Sequence, residues 1–177
     1  MTDTDSWQTA EVGGPRRAAV IRKAVAAAAV IRRAERPILI LGHRAGEREC
    51  NGGRMIDCLI GLARASGCTV VASGNASSAL RERGYPPHAA MPAVELGSRL
   101  TDPAWTGIDG KGAYDLAILA GLPYPMAWTL LSALKHFSPV KTLCLDPGYQ
   151  PQATWSLPNI SLADWAAFMH ALNASLA

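Results

Sequence analysis

The 177-residue chain lacks a long hydrophobic run: near its start the longest is AVAAAAVI at 24–31, far too short to cross a bilayer. Asp3, Asp5 and Glu11 precede that run, an arrangement that suits neither a secretory signal nor an acidic-poor transit peptide. A cytoplasmic protein without membrane contact is the expectation, and the sequons at Asn75, Asn159 and Asn173 then carry no glycan. Cysteine is scarce as well. Cys50, Cys58, Cys68 and Cys144 show no C-x-x-C spacing, the usual mark of a zinc or iron–sulfur site. Buried free thiols are the ordinary reading, Cys68 and Cys144 each lying in a strand-like run. No pair among His43, His88, His136 and His170 has metal-ligand spacing, so no metal is expected on this chain.

Catalytic signatures are missing too. There is no G-x-S-x-G elbow, no G-x-x-x-x-G-K-[ST] loop and no G-x-G-x-x-G after the first strand, where the sequence reads GHRAGE. Ser73 and Ser77 have no identifiable base. A chain of this size that worked alone as an enzyme would show its acid, base or nucleophile more plainly. Net charge is only +3. Residues 1–99 carry 14 Lys/Arg against 9 Asp/Glu and residues 100–177 carry 3 against 5, so the basic excess sits at the front, around one alanine-rich segment. That distribution lacks the basic stripe with stacking aromatics that nucleic-acid binding calls for.

What the sequence does contain is alternation. A hydrophobic fraction of 49% with 18% charged residues describes a globular chain. Residues 1–14 are polar, end in Gly-Gly and read as a loose arm, followed by a single domain over 15–177. Val20, Ile21, Val25, Ala28 and Ile31 recur at helical spacing, predicting a helix over 15–35 that Pro15 opens and Pro37 stops. The runs at 37–42, 68–74, 113–121 and 140–146 are continuous and apolar, as strands buried on both faces of a parallel sheet are. Helical patterns at 55–65, 77–83 and 126–137 fall between them, Gly67 stopping the first. A last helix opens with the Ser161…Asp164 capping-box pattern and carries Trp165, Phe168, Met169 and Leu172 as its stripe. Strand–helix alternation with short connections predicts an α/β fold, a Rossmann-like parallel sheet with helices on both faces.

Two candidate sites follow. Ligands of open parallel sheets sit beyond the carboxyl ends of the strands, where Gly42, Gly74 and Gly121 fall, with His43 and Asn75 beside them. Backbone N–H groups there suit the phosphate of a nucleotide or flavin, while glycine is equally the residue that lets a strand turn into a loop. The second candidate is the stretch LTDPAWTGIDGKGAYD at 100–115, with Trp105, Asp109 and Tyr114. Aromatic side chains on a glycine-flexed loop are frequent interface anchors. The ordinary role of Asp102, Asp109 and Asp115 is to bond nearby backbone.

The Thr-Asp-Pro-x-Trp run from Thr101, the Gly-x-Asp-Gly-x-Gly-x-Tyr-Asp run from Gly107 and the Gly-Tyr-x-x-x-Ala run from Gly148 are specific in combination. In them the chain resembles the epsilon subunits of the archaeal carbon monoxide dehydrogenase/acetyl-CoA synthase complex, also called acetyl-CoA decarbonylase/synthase. The resemblance extends from the strand at 36–40 onward and is sharpest from Leu100 to Leu162. The arginine- and alanine-rich front and the loop at 43–54 depart from the pattern. The resemblance implies a domain related to the FAD-binding middle domain of thiamine-diphosphate enzymes and a place in one-carbon metabolism, including methanogenesis. It implies assembly as two alpha and two epsilon chains, the alpha subunit holding the nickel–iron–sulfur centre that interconverts CO and CO2 and the iron–sulfur clusters. For the small subunit it leaves two roles open: stabilising the alpha dimer, or helping electrons reach a flavin. It supplies no catalytic residue. A free-standing FAD- or nucleotide-dependent oxidoreductase using the strand-end crevice is the rival expectation.

Overall fold

In the computed structural model, residues 17–50 and 52–177 are described. The expected arm at 1–14 and Pro15 lie outside them. The chain runs β1 (Ala19–Val20), α1 (Ala24–Arg33), β2 (Pro37–Leu41), α2 (Arg44–Glu47), β3 (Glu49–Cys50), β4 (Gly53–Arg54) and α3 (Met55–Ser66). It continues through β5 (Thr69–Ala72), α4 (Ala76–Arg81), β6 (Ala89–Ala90), α5 (Ala93–Thr101) and β7 (Leu116–Ala120), then α6 (Tyr124–Phe137), β8 (Lys141–Cys144), β9 (Trp155–Ser156) and α7 (Leu162–Leu176).

Seven strands form one sheet in the order β1-β9-β8-β7-β2-β5-β6, and every pairing in it is parallel. The sheet is therefore the α/β, Rossmann-like one expected. Its central strands read as continuous apolar runs because both faces are covered. On β2, Leu39 and Leu41 pack on one side with α1, α3 and α7, while Ile38 and Ile40 pack on the other with α5 and α6. All four are at most 1% exposed, each side chain contributing about 1.5–3 kcal/mol of burial. The helix ends follow local chemistry. Gly67 closes α3 at φ 64, a left-handed cap. The Ser161 hydroxyl accepts from the Asp164 N–H to open α7.

One expectation is corrected. The first helix does not begin near residue 15: it starts at Ala24, and Ala19 and Val20 instead pair with Trp155 and Ser156. Ala19 N–H donates to Thr154 O and Ile21 N–H to Ser156 O, both on the edge that β9 presents, while Ala18 and Ile21 are buried. Tertiary pairing overrides the alanine propensity there. Helix α5, which the sequence pattern did not single out, packs on α6 through Leu96 and Leu100.

Candidate functional site

The two candidate sites lie at opposite ends of the sheet. Gly42, Gly74 and Gly121 follow β2, β5 and β7 at the carboxyl end, whereas the 102–114 loop leads into the amino end of β7. Five-residue strands rising about 3.3 Å per residue separate the two ends by roughly 15 Å.

At the carboxyl end the strand order reverses between β2 and β7, which is the crevice where sheets of this order hold ligands. Here the chain fills it. Gly42 N–H donates to Ala120 O, Arg44 N–H to Gly121 O and Ala45 N–H to Gly42 O. A Cβ on Gly42 would lie 2.2 Å from the Gly121 carbonyl oxygen, and one on Gly121 would lie 2.6 Å from the Ala45 nitrogen. From the next strand, Asp146 Oδ1 accepts the Gly121 N–H at 2.8 Å and lies 3.9 Å from Arg48 Nη1. Burial pushes the Asp146 carboxyl up to about 6, opposed by the Gly121 N–H, the Arg48 and Arg44 charges and the Leu122 N–H. Its Oδ2 is buried without a hydrogen-bond partner among the described residues. The same burial, with Asp146 nearby, holds the Cys144 thiol well above its ordinary value. His43 and Gly74 are neighbours, since a Cβ on Gly74 would sit 3.7 Å from that of His43. Asn75 is exposed and precedes α4 without capping it through its side chain. Thus His43, Gly74 and Asn75 share an accessible rim, and Gly42 and Gly121 lie beneath it. Asp146 had no signal in the sequence beyond standing at the end of β8.

At the amino end the 102–114 loop is built around Tyr114. Its hydroxyl accepts the Ile108 N–H, the Trp105 ring lies 5.7 Å away centroid to centroid, and the Arg36 guanidinium stands 5.2 Å from the Tyr114 ring centroid. Arg36 Nη2 also donates to Asp109 Oδ1 at 2.6 Å. That hydrogen bond holds the Asp109 carboxyl below its ordinary range, helped by the Lys111 N–H, and raises Arg36 in turn. Asp102 accepts the Ala104 N–H within the loop, whereas Asp115 accepts the Glu35 and Arg36 N–H groups and ties the loop's end to β2. Tyr114 is only 4% exposed and Trp105 is half-buried. Tyr114, expected as an interface anchor, is the loop's inner post, with Trp105 and the exposed Asp109 placed over it.

Beside the loop, α5 and α6 leave an apolar groove that the sequence pattern did not single out. Val94, Met126 and Phe137 line it at 62, 37 and 73% exposure, with Gly97 and Leu130 beneath them. Ser138 Oγ donates to Leu100 O, bringing the last turns of α5 and α6 together where the loop departs. Among the described residues, no group of His, Cys, Asp and Glu could hold a metal ion, and all four cysteines are free. No helix there is long and apolar enough to cross a membrane.

The sequence matches, over residues 2–172, the family described as CO dehydrogenase beta subunit/acetyl-CoA synthase epsilon subunit. It is 32% identical over 171 residues to the acetyl-CoA decarbonylase/synthase complex subunit epsilon of Methanothermobacter thermautotrophicus, covering 95% of this chain and 94% of that protein. Subunit epsilon 1 of that complex from Methanosarcina barkeri is 34% identical over 146 residues, 82% of either chain. Subunit epsilon 1 from Archaeoglobus fulgidus is 32% identical over 157 residues, covering 88% of this chain and 82% of that protein.

Proposed function

The chain belongs to the CO dehydrogenase beta subunit/acetyl-CoA synthase epsilon subunit family, and from that premise we propose that it is a non-catalytic accessory subunit of an acetyl-CoA decarbonylase/synthase complex. Its partner is the large alpha subunit that interconverts CO and CO2, in an assembly of two alpha and two epsilon chains in the cytoplasm. The family match across nearly the whole chain carries this reading. The distribution of chemistry in the molecule supports it: the cysteines are dispersed, and the aromatic loop is braced internally rather than opened around a reacting group.

The docking surface is the amino end of the sheet. The 102–113 segment offers Trp105 and Asp109 on a backbone held by Tyr114 and Arg36, and the apolar α5–α6 groove opens from the same edge. Together they supply the apolar centre with a polar rim that protein interfaces use. The role assigned is stabilisation of the alpha dimer, in preference to electron transfer.

Native mass measurement of the gently purified, tagged chain from its own cells tests the reading. Recovery in a large brown complex with a nickel- and iron-containing partner is expected. Recovery alone, or as a small yellow oligomer that turns over substrate, would replace it with the independent flavoprotein.

A further inference from the structure

Beside the switch point between β2 and β7 stands a carboxylate of the chain itself, Asp146, just past the end of β8. In sheets of this order a phosphate group is held there by two means, N–H groups at the start of the helix after the first strand and close backbone approach through glycine. In this structure both are turned inward. The leading N–H groups of the Gly42–Gly46 turn bond Gly121 O, Gly42 O and His43 O. The four-residue α2 offers no row of free donors behind them. From the facing strand, the Gly121 N–H is taken by the Asp146 carboxylate at 2.8 Å.

Asp146 is 7% exposed and stands at the end of β8. The nearest basic group to it, the Arg48 guanidinium, lies 3.9 Å from the same oxygen. A phosphate entering beside Gly121 would therefore meet a like charge in a poorly solvated site, where charge repulsion is strong. It would also have to part Gly42 from Gly121, whose backbones leave no space for even one carbon.

We infer that Asp146, bonded to the Gly121 N–H between β7 and β8, is an internal surrogate for a ligand phosphate, so that the switch point takes no dinucleotide or flavin. The carboxylate instead ties the β7–α6 turn to the end of β8, while the Arg44 N–H holds the turn after β2 against Gly121 O. This deepens no step of the subunit reading and stands or falls separately from it, because an accessory subunit could carry a flavin and an isolated flavoprotein could not do without one.

Amide hydrogen exchange on the full-length chain tests it, read at Arg44, Ala45 and Gly121, with and without millimolar FAD, NAD+ or inorganic pyrophosphate. The expected result is slow exchange at all three amides in the ligand-free chain and no further slowing with any of the three compounds. In Asp146→Ala, exchange at Gly121 should quicken about tenfold, the effect of losing one charged acceptor. Asp146→Asn, which keeps an acceptor oxygen, should retain most of the protection should the alanine variant not fold. A compound that raises the melting temperature without slowing these amides binds elsewhere and leaves the inference standing. Rapid exchange in the free chain that becomes slow with FAD or pyrophosphate would overturn it.

Discussion

Gly42 and Gly121 meet backbone to backbone: a Cβ added to Gly42 would lie 2.2 Å from the Gly121 carbonyl oxygen and 2.6 Å from the Leu122 Cα. Neither neighbour is the movable end of a side chain, so the strands themselves must shift to admit it. Gly42→Ala should cost about 3 kcal/mol or more, at the upper end of overpacking penalties. Gly74→Ala is the informative contrast. Gly74 has φ 61 and only an ordinary contact to His43, so the penalty is the left-handed backbone alone, about 1–2 kcal/mol. Urea unfolding of both variants checks the order, and equal midpoints would show that the Gly42 contact relaxes without strain.

The Asp146 carboxyl predicts a pH dependence of definite sign. Its folded value is raised to about 6, above the roughly 3.9 of an unfolded aspartate. The folded chain therefore holds this proton more tightly, and the group's contribution to stability is full below about pH 4 and lost as pH rises towards 6. Subtracting the profile of Asp146→Asn from that of the wild type isolates it. The difference should decline by a few kcal/mol at most across that window and be flat above it. A difference that rises with pH would mean that the Arg48 and Arg44 charges outweigh burial and that the carboxylate is ionised throughout.

How far the fold could be read beforehand depended on whether the deciding contact was local. Strands β2 and β7 were legible because burial on both faces leaves no polar alternation, and the α7 start because Ser161 and Asp164 are three residues apart. Residues 17–23 misled because an alanine-rich window favours helix whichever way it is framed, and only the edge of β9, some 135 residues later, decides otherwise. Helix α5 had a usable signal in Pro92 followed by Ala93, Leu96, Gly97 and Leu100 at helical spacing. Gly97 weakens that pattern as a propensity, yet a Cβ there would lie 2.7 Å from a Leu130 methyl, so the helices approach closely because of it. The strand-end glycines stand out in the sequence but their contacts do not, and Asp146 gives no local signal because its partner, Gly121, lies 25 residues away. Tyr114 looked like an anchor since aromatic content alone does not say which way a ring points.

The loop's internal bracing separates its fold energy from its order. Tyr114→Phe removes the acceptor for the Ile108 N–H and should cost about 1 kcal/mol in global stability. Arg36→Ala should change global stability little, because the Arg36–Asp109 pair is partly solvated. It removes both the bond to Asp109 and the guanidinium over the Tyr114 ring, so the loop opens locally more often. Limited proteolysis within 106–112 should then accelerate in Arg36→Ala well before the melting temperature moves, and high salt should quicken cleavage of the wild type in the same direction. An unchanged cleavage rate would mean that Asp109 is held by the loop's own backbone, through Lys111, without help from Arg36.

Phe137 is 73% exposed at the mouth of the α5–α6 groove. So exposed a residue contributes little to folding, and Phe137→Asp should leave stability within about 0.5 kcal/mol of the wild type. At the centre of an interface the same change desolvates a charge and loses an aromatic contact, so affinity for the large subunit should fall by about 2 kcal/mol, roughly thirtyfold. Trp105→Ala, on the adjoining loop, should weaken binding comparably if the two residues serve one surface. Val25→Asp is the control. Val25 is 62% exposed but lies on α1, across the sheet from the groove, and its replacement should not disturb binding. Titration of each folded variant against the purified large subunit gives the comparison. Loss of affinity in Val25→Asp with none in Phe137→Asp would move the interface to the α1–α7 face and leave the aromatic loop without a partner.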